Sequence, residues 1–137
     1  MRPFRFGVNV RDFGSLANWL ALARKVEGLG FSTLNVPDHL TERPAPMPAL
    51  ASAAAATTRL RIGTLVLNND FRHPVLLARE AATVDVLSEG RFELGLGAGY
   101  MKAEYDEAGV RFDRGAERVE RLAEAVTMTP SPRSSSV

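Results

Sequence analysis

Asp38 and His39 stand side by side just after Pro37, at the end of the short apolar run Thr33-Leu34-Asn35-Val36. A carboxylate next to an imidazole can orient, take and return a proton, and histidine does so near neutral pH. The arrangement recurs downstream. Arg61-Ile62-Gly63-Thr64-Leu65-Val66-Leu67 runs into Asn68, Asn69 and Asp70, and Phe92-Glu93-Leu94-Gly95-Leu96-Gly97 runs into Ala98, Gly99 and Tyr100. Polar or glycine-rich groups therefore gather at one end of successive apolar runs. Buried strands that deliver side chains to a solvent-facing rim have this polarity.

Each of these groups has a plainer reading. Asp38 also suits a cap on the following turn, and His39 a packed loop position. Asn68 and Asn69 serve equally as turn formers or as substrate contacts. Gly95, Gly97 and Gly99 let the backbone approach a flat ring or a phosphate closely, or simply relieve crowding. Their spacing is not G-x-G-x-x-G and a polar loop follows, so an NAD-binding Rossmann enzyme is a distant reading. His73, before Pro74, reads as a helix-start residue, and Trp19 as packing. Tyr100, Glu104 and Tyr105 open a long loop above the rim, where Tyr100 could meet substrate; Glu104 reads equally well as solvent-facing polarity. His39 and His73 lie far apart without an H-E-x-x-H pattern, so no metal site is expected. No G-x-S-x-G element points to a serine hydrolase.

The elements that must position these groups follow from periodicity. Residues 4–10 predict a first strand, and 12–15 a turn with a helix N-cap. Leu16, Leu20, Ala23 and Val26 share one face of the helix that follows, which Gly28 and Gly30 close. Strands are predicted over 33–36, 60–67 and 92–97. Between them lie an alanine-rich helix over 49–56 and a helix from Pro74 with Leu77, Ala81, Val84 and Leu87 inward. A loop over 98–112 precedes a last helix from Asp113, with Val119, Leu122, Ala123 and Val126 inward. Strand–helix units in series predict an α/β fold with parallel strands and right-handed crossovers.

Bulk properties narrow the class. The 137 residues, 45% hydrophobic and 24% charged, suit one globular domain. Seventeen basic and 16 acidic residues leave a formal charge of +1, which offers no footprint for nucleic acid or an anionic membrane. No run is long enough to span a bilayer, and Met1 to Phe6 carries no apolar signal core. Without cysteine there are no disulfides and no thiolate chemistry. A soluble, cytoplasmic protein is expected. Residues 127–137 break the pattern: they are Ser/Pro-rich and predict disorder.

Five segments, in order, resemble the luciferase-like monooxygenase family, in its branch that uses the deazaflavin coenzyme F420. They are residues 33–40, 59–67, 72–80, 85–100 and 104–109, within a resemblance covering about 3–126. The family fold is a (β/α) TIM-type barrel, and such barrels need about 250 residues. The resemblance therefore implies a truncated half-barrel of about four β/α units over 1–126, followed by the 127–137 tail. The natural continuation is expected to have been lost by truncation or frameshift. Exposed strand edges and barrel-facing apolar side chains would then favour a homodimer.

The implied activity is hydride transfer between coenzyme F420 and a small organic substrate, which truncation could leave the chain unable to perform alone. By resemblance, His39 is the acid/base and Asp38 hydrogen-bonds near the ring. Thr64, Leu65 and Val66, with a non-prolyl cis peptide, support one face of the ring, and Gly97, Ala98 and Gly99 contact it. Asn68 and Tyr100 are the substrate-side candidates. Two rivals stand: an FMN-dependent flavin monooxygenase of the same fold, and a non-catalytic half-barrel fragment.

Overall fold

The computed structural model describes residues 4–40 and 44–128. Four strands form one parallel sheet in the order β1 (Gly7–Asn9), β2 (Thr33–Val36), β3 (Arg61–Thr64) and β5 (Phe92–Glu93). Two further short strands, β4 (Leu67–Asn68) and β6 (Leu96–Gly97), pair in parallel with each other. The helices are α1 (Leu16–Gly28), α2 (Pro46–Ala56), α3 (Pro74–Leu87), α4 (Lys102–Ala108) and α5 (Gly115–Met128). This is the expected α/β order with every strand pair parallel.

Register explains which face of the sheet is the core. Val8, Leu34, Ile62 and Phe92 align across the four strands. They pack with Trp19, Ala23 and Val26 of α1, Leu50 and Ala53 of α2, and Leu77 and Val84 of α3. Alternate side chains, Asn9, Asn35, Arg61 and Glu93, belong to the opposite face. Glu93 there takes hydrogen bonds from both Arg5 and Arg61. The face away from the helices is thus polar on these strands, not apolar as expected. The exposed apolar groups lie at the margins instead, with Phe4 86% exposed beside β1.

Both predicted long strands are interrupted. The third runs as β3, breaks at Leu65–Val66, whose peptide bond is cis, and resumes as β4. The fourth breaks at Leu94–Gly95 between β5 and β6. Across the break the Thr64 hydroxyl accepts from Gly95 N at 2.8 Å and donates to Gly95 O at 2.9 Å. One side chain thereby replaces a missing rung of the ladder.

Helix ends behave as their residues dictate. The Ser15 hydroxyl caps α1 by accepting from Asn18 N, and Gly30 follows at φ +81°. Trp19 is core: its indole N–H donates to Ala49 O at 2.9 Å and ties α1 to α2. Leu16, expected inward, is left in solvent at the uncovered first turn of α1, and Leu87 is exposed at the last turn of α3. The alanine-rich helix starts earlier than expected, at Pro46, because proline suits a first turn. The predicted 98–112 loop contains α4, stabilised by the Lys102–Asp106 pair one turn apart and ended by Gly109 at φ +67°.

The last helix turns a different face inward from the one expected. Ala125 is buried and Leu122 half-buried, while Val119, Ala123 and Val126 face solvent. Arginines set this rotation. Arg118 donates to Ala98 O, and Arg121 pairs with Asp70 and Asp113. Thr127 and Met128 complete α5, and the rest of the Ser/Pro-rich tail lies outside the described residues. No helix among the described residues is long and apolar enough to cross a membrane.

The turn between α2 and β3 hangs on one carboxylate. Glu27 Oε1 accepts from the successive amides of Thr58, Arg59 and Leu60 at 2.9, 2.7 and 2.9 Å. Burial pushes the Glu27 carboxyl upward, but those three amides and the Arg59 charge outweigh it and hold it below the usual carboxylate range. A depressed folded-state value stabilises above the unfolded value of about 4.3, and the gain is lost as pH falls through the folded value. Glu27→Gln should therefore cost about 1–3 kcal/mol in chemical denaturation at pH 7. The gap from the parent should shrink in acid below about pH 4; equal stabilities at pH 7 would refute the anchor.

Candidate active site

The carboxyl ends of the strands share one rim, where a hollow of about 350 Å³ is lined by Asn9, Arg11, Asp38, His39, Leu65, Val66, Asn68, Gly97–Tyr100 and Glu104. The topology alone requires this. Parallel strands with helical returns put the residues after every strand on the same side. Residues 30 to 60 positions apart thus meet over one surface. Of the sequence-derived site residues, all but Thr64 line the hollow, and Thr64 is buried just beneath, bonded to Gly95.

Asp38 is the keystone of this rim, and both its oxygens face protein partners. Arg72 donates to Oδ1 at 2.9 Å and also to Oδ2, while Asn68 N donates to Oδ2 at 2.9 Å. Arg72 precedes α3 and Asn68 ends β4, so one carboxylate joins the ends of β2, β4 and α3. The planar guanidinium fork is matched to such a bidentate grip.

His39 has a partner that sequence reasoning left as solvent-facing polarity. Glu104 on α4 is only 4% exposed, and its Oε1 lies 2.8 Å from His39 Nδ1. A carboxylate can only accept, so it places the imidazole proton on Nδ1 and leaves Nε2 as the free ring nitrogen. Tyr100 meets the His39 ring edge-on at 6.2 Å between centroids. Sequence carried a signal for this: Glu104 and Tyr105 sit inside a Lys102–Asp106 helical pair before Gly109, a pattern of a docked helix rather than a loop.

Beside the imidazole lies a ledge made of the Leu65 and Val66 side chains, 51% and 39% exposed, and of the glycine backbone at 97 and 99. A Cβ on Gly97 would stand 2.6 Å from Val66 Cγ2, so the 65–66 segment and Gly97 touch only because Gly97 has no side chain. Gly99 adopts φ +73°, and a Cβ there would fall 2.1 Å from the Tyr105 hydroxyl. That hydroxyl lies 3.1 Å from Asn68 Oδ1, 2.9 Å from Asp70 Oδ2 and 3.1 Å from Ala98 O. The Asn68 side chain, offered above for substrate, is buried and engaged with Tyr105 and Asp70 N.

Electrostatics below the ledge favour fixed protonation. Burial raises the Asp70 carboxyl, yet hydrogen bonds from Arg121 and Tyr105 bring it below its ordinary range. Burial and the Asp70 charge push the Tyr105 phenol upward, so it stays a neutral donor. Two larger hollows, about 560 and 670 Å³, lie elsewhere. In the first, Asp70 and Asp113 are already paired with Arg121; the second is an apolar-lined groove between α2 and α3. His73 lines the first of them and only caps α3, its Nδ1 accepting from Val75 N.

Asp38→Asn leaves the largely buried Arg72 guanidinium without its charge partner. It should destabilise the fold by about 3 kcal/mol in chemical denaturation. A loss below about 1 kcal/mol would mean that the pair behaves like an exposed one and does not hold the rim.

Comparison with known proteins agrees with this geometry. The luciferase-like monooxygenase family model matches residues 2–129. The F420-dependent glucose-6-phosphate dehydrogenase of Microbacterium testaceum is 36% identical over 133 residues, covering 90% of this chain and 37% of that protein. The 4-hydroxyprotoasukamycin monooxygenase of Streptomyces nodosus subsp. asukaensis is 34% identical over 100 residues, 70% of this chain and 27% of its own length. Among solved structures, the coenzyme F420 dependent tetrahydromethanopterin reductase of Methanopyrus kandleri superposes with a TM-score of 0.71 at 30% identity, covering 79% of this chain and 30% of that one. The chain spans little more than a third of the curated dehydrogenase it matches, which agrees with a half-barrel. With the family model matched along nearly its whole length, the chain belongs to the luciferase-like monooxygenase family.

Proposed function

We propose that this chain forms the cofactor-facing rim of an oxidoreductase that passes a hydride between coenzyme F420 and a small organic substrate. The observation that carries the reading is His39, held by Glu104 at 2.8 Å and standing over the same hollow as the Leu65–Val66 and Gly97–Gly99 ledge. A flat ring needs a smooth apolar platform, and the Val66 side chain packed onto the side-chain-free Gly97 offers one beside the imidazole. When bound there, the deazaflavin supplies the carbon that gives or receives the hydride.

The chain's own residues manage the proton. Glu104 fixes the tautomer of His39, so Nε2 can take the proton from a substrate hydroxyl as hydride leaves, and return it in reverse. Asp38, Thr64 and Tyr105 hold the segments around the ring in place. Leu65, Val66, Gly97, Ala98 and Gly99 are the groups that would touch it, and Tyr100 closes the substrate side.

A second reading, an FMN-dependent flavin monooxygenase, is favoured by the similarity to the 4-hydroxyprotoasukamycin monooxygenase. Titration of the purified chain with F420 and with FMN, followed by cofactor fluorescence, separates the two. Preference for F420 supports the main reading and preference for FMN the second; binding of neither by the folded chain supports the non-catalytic fragment.

With cofactor binding established, His39→Gln should leave the dissociation constant within a few-fold while slowing cofactor reduction by about 10²–10⁴. Glu104→Gln should slow it less, with the pH profile displaced. Unchanged reduction in His39→Gln would remove the acid/base role.

The proposal includes a homodimer through the open edges of β1 and β5. Among the described residues no further strand pairs with the backbone groups there, and Phe4 and Phe6 are exposed beside β1. Sedimentation equilibrium should give twice the chain mass; a monodisperse monomer would contradict it.

A further inference from the structure

The hollow at the strand ends carries one formal charge that no group among the described residues answers. The Asp38 carboxylate is closed by Arg72, and that of Glu104 meets His39. Arg11, exposed just after β1, lines the same hollow and has no hydrogen-bond or ion-pair partner among the described residues. Asp12, the next residue, forms no ion pair with it and turns Oδ1 to the Gly14 amide instead. Besides His39 Nε2, the uncommitted side chains around the hollow among the described residues are the Asn9 amide and the Tyr100 hydroxyl, both able to donate. An exposed, donor-rich rim with an unanswered guanidinium is complementary to an oxyanion.

We propose that Arg11 is a specificity residue, receiving the carboxylate or phosphate group of the small-molecule substrate. The inference rests on the redox reading above and adds the class of substrate. Sheet order decides between the substrate and an anionic tail of the cofactor. The ring ledge lies at the break after β3 and at the end of β6, which pairs with the continuation β4, while His39 follows β2 and Arg11 follows β1. Neighbouring strands are about 4.8 Å apart, so His39 stands between the ledge and Arg11. A reacting carbon between ring and imidazole leaves the rest of the substrate to extend toward β1. Its anionic group would lie roughly one strand spacing, about 5 Å, beyond the reacting carbon.

The test compares the parent chain with Arg11→Gln and Arg11→Lys by calorimetry, using two ligand pairs that each differ by one phosphate. These are glucose 6-phosphate against glucose, and FMN against riboflavin. The parent should bind glucose 6-phosphate at least tenfold more tightly than glucose. Arg11→Gln should abolish that ratio, Arg11→Lys should keep most of it, and all three should give the same circular dichroism. The FMN to riboflavin ratio should not change. No preference for glucose 6-phosphate in the parent, an unchanged preference in Arg11→Gln, or a loss that falls on the FMN pair would each overturn the proposal. A chain that binds neither F420 nor FMN yet still loses glucose 6-phosphate selectivity in Arg11→Gln refutes the redox reading alone, and leaves an anion site at Arg11.

Discussion

A single carboxylate organises this structure. Asp38 accepts two hydrogen bonds from Arg72 and one from the amide of Asn68, and so binds the end of β2 to β4 and to the start of α3. The strands themselves are short, two to four residues, and contribute few ladder bonds. Where a sheet is this sparse, side chains must finish the pairing. Asp38 does so at the rim, Thr64 does so inside the break between β3 and β4, and Glu27 does so at the opposite end of β3. All three place an oxygen against backbone N–H groups that the interrupted ladders leave over.

The consequence for chemistry is a division of labour between two neighbouring residues. Asp38 is committed to protein groups and sets position, while His39 keeps one ring nitrogen free. A second layer beneath repeats the scheme. Tyr105 lies under Gly99, Asp70 and Asn68 receive its hydroxyl, and Arg121 and Arg118 lock α5 onto the same cluster. Glycine at 97 and 99 is thus a steric requirement imposed by Val66 and Tyr105. No side chain stands at these two positions because Val66 and Tyr105 fill the space that a Cβ would need.

Much of this was legible in the residues. Alternation of apolar runs with helical spacing gave the parallel order, and the polar ends of those runs marked the rim on which Asp38, His39, Gly97 and Gly99 meet. What was not legible depends on contacts between distant residues. Nothing local in Leu65-Val66 distinguishes a break from a continuing strand; only the family resemblance implied a non-prolyl cis peptide in this segment, and Leu65–Val66 is cis. Glu104 finds His39 across 65 positions, and a single sequence offers no pairing rule at that range. The rotation of α5 failed for a different reason. Apolar periodicity predicted Val119 and Val126 inward, but charge-assisted bonds from Arg118 and Arg121 to groups at the rim set the helix face instead. The face of the sheet away from the helices was expected to be apolar, yet register puts Asn9, Asn35, Arg61 and Glu93 there.

Everything functional follows from one claim, that the ledge and the imidazole confront the same bound ring. Amide and imidazole NMR shifts recorded during F420 titration address it residue by residue. The account predicts the largest perturbations at His39, Leu65, Val66, Gly97 and Gly99, saturating together at one dissociation constant. Perturbations confined to the groove between α2 and α3, with His39 and Gly97 unmoved, would contradict it.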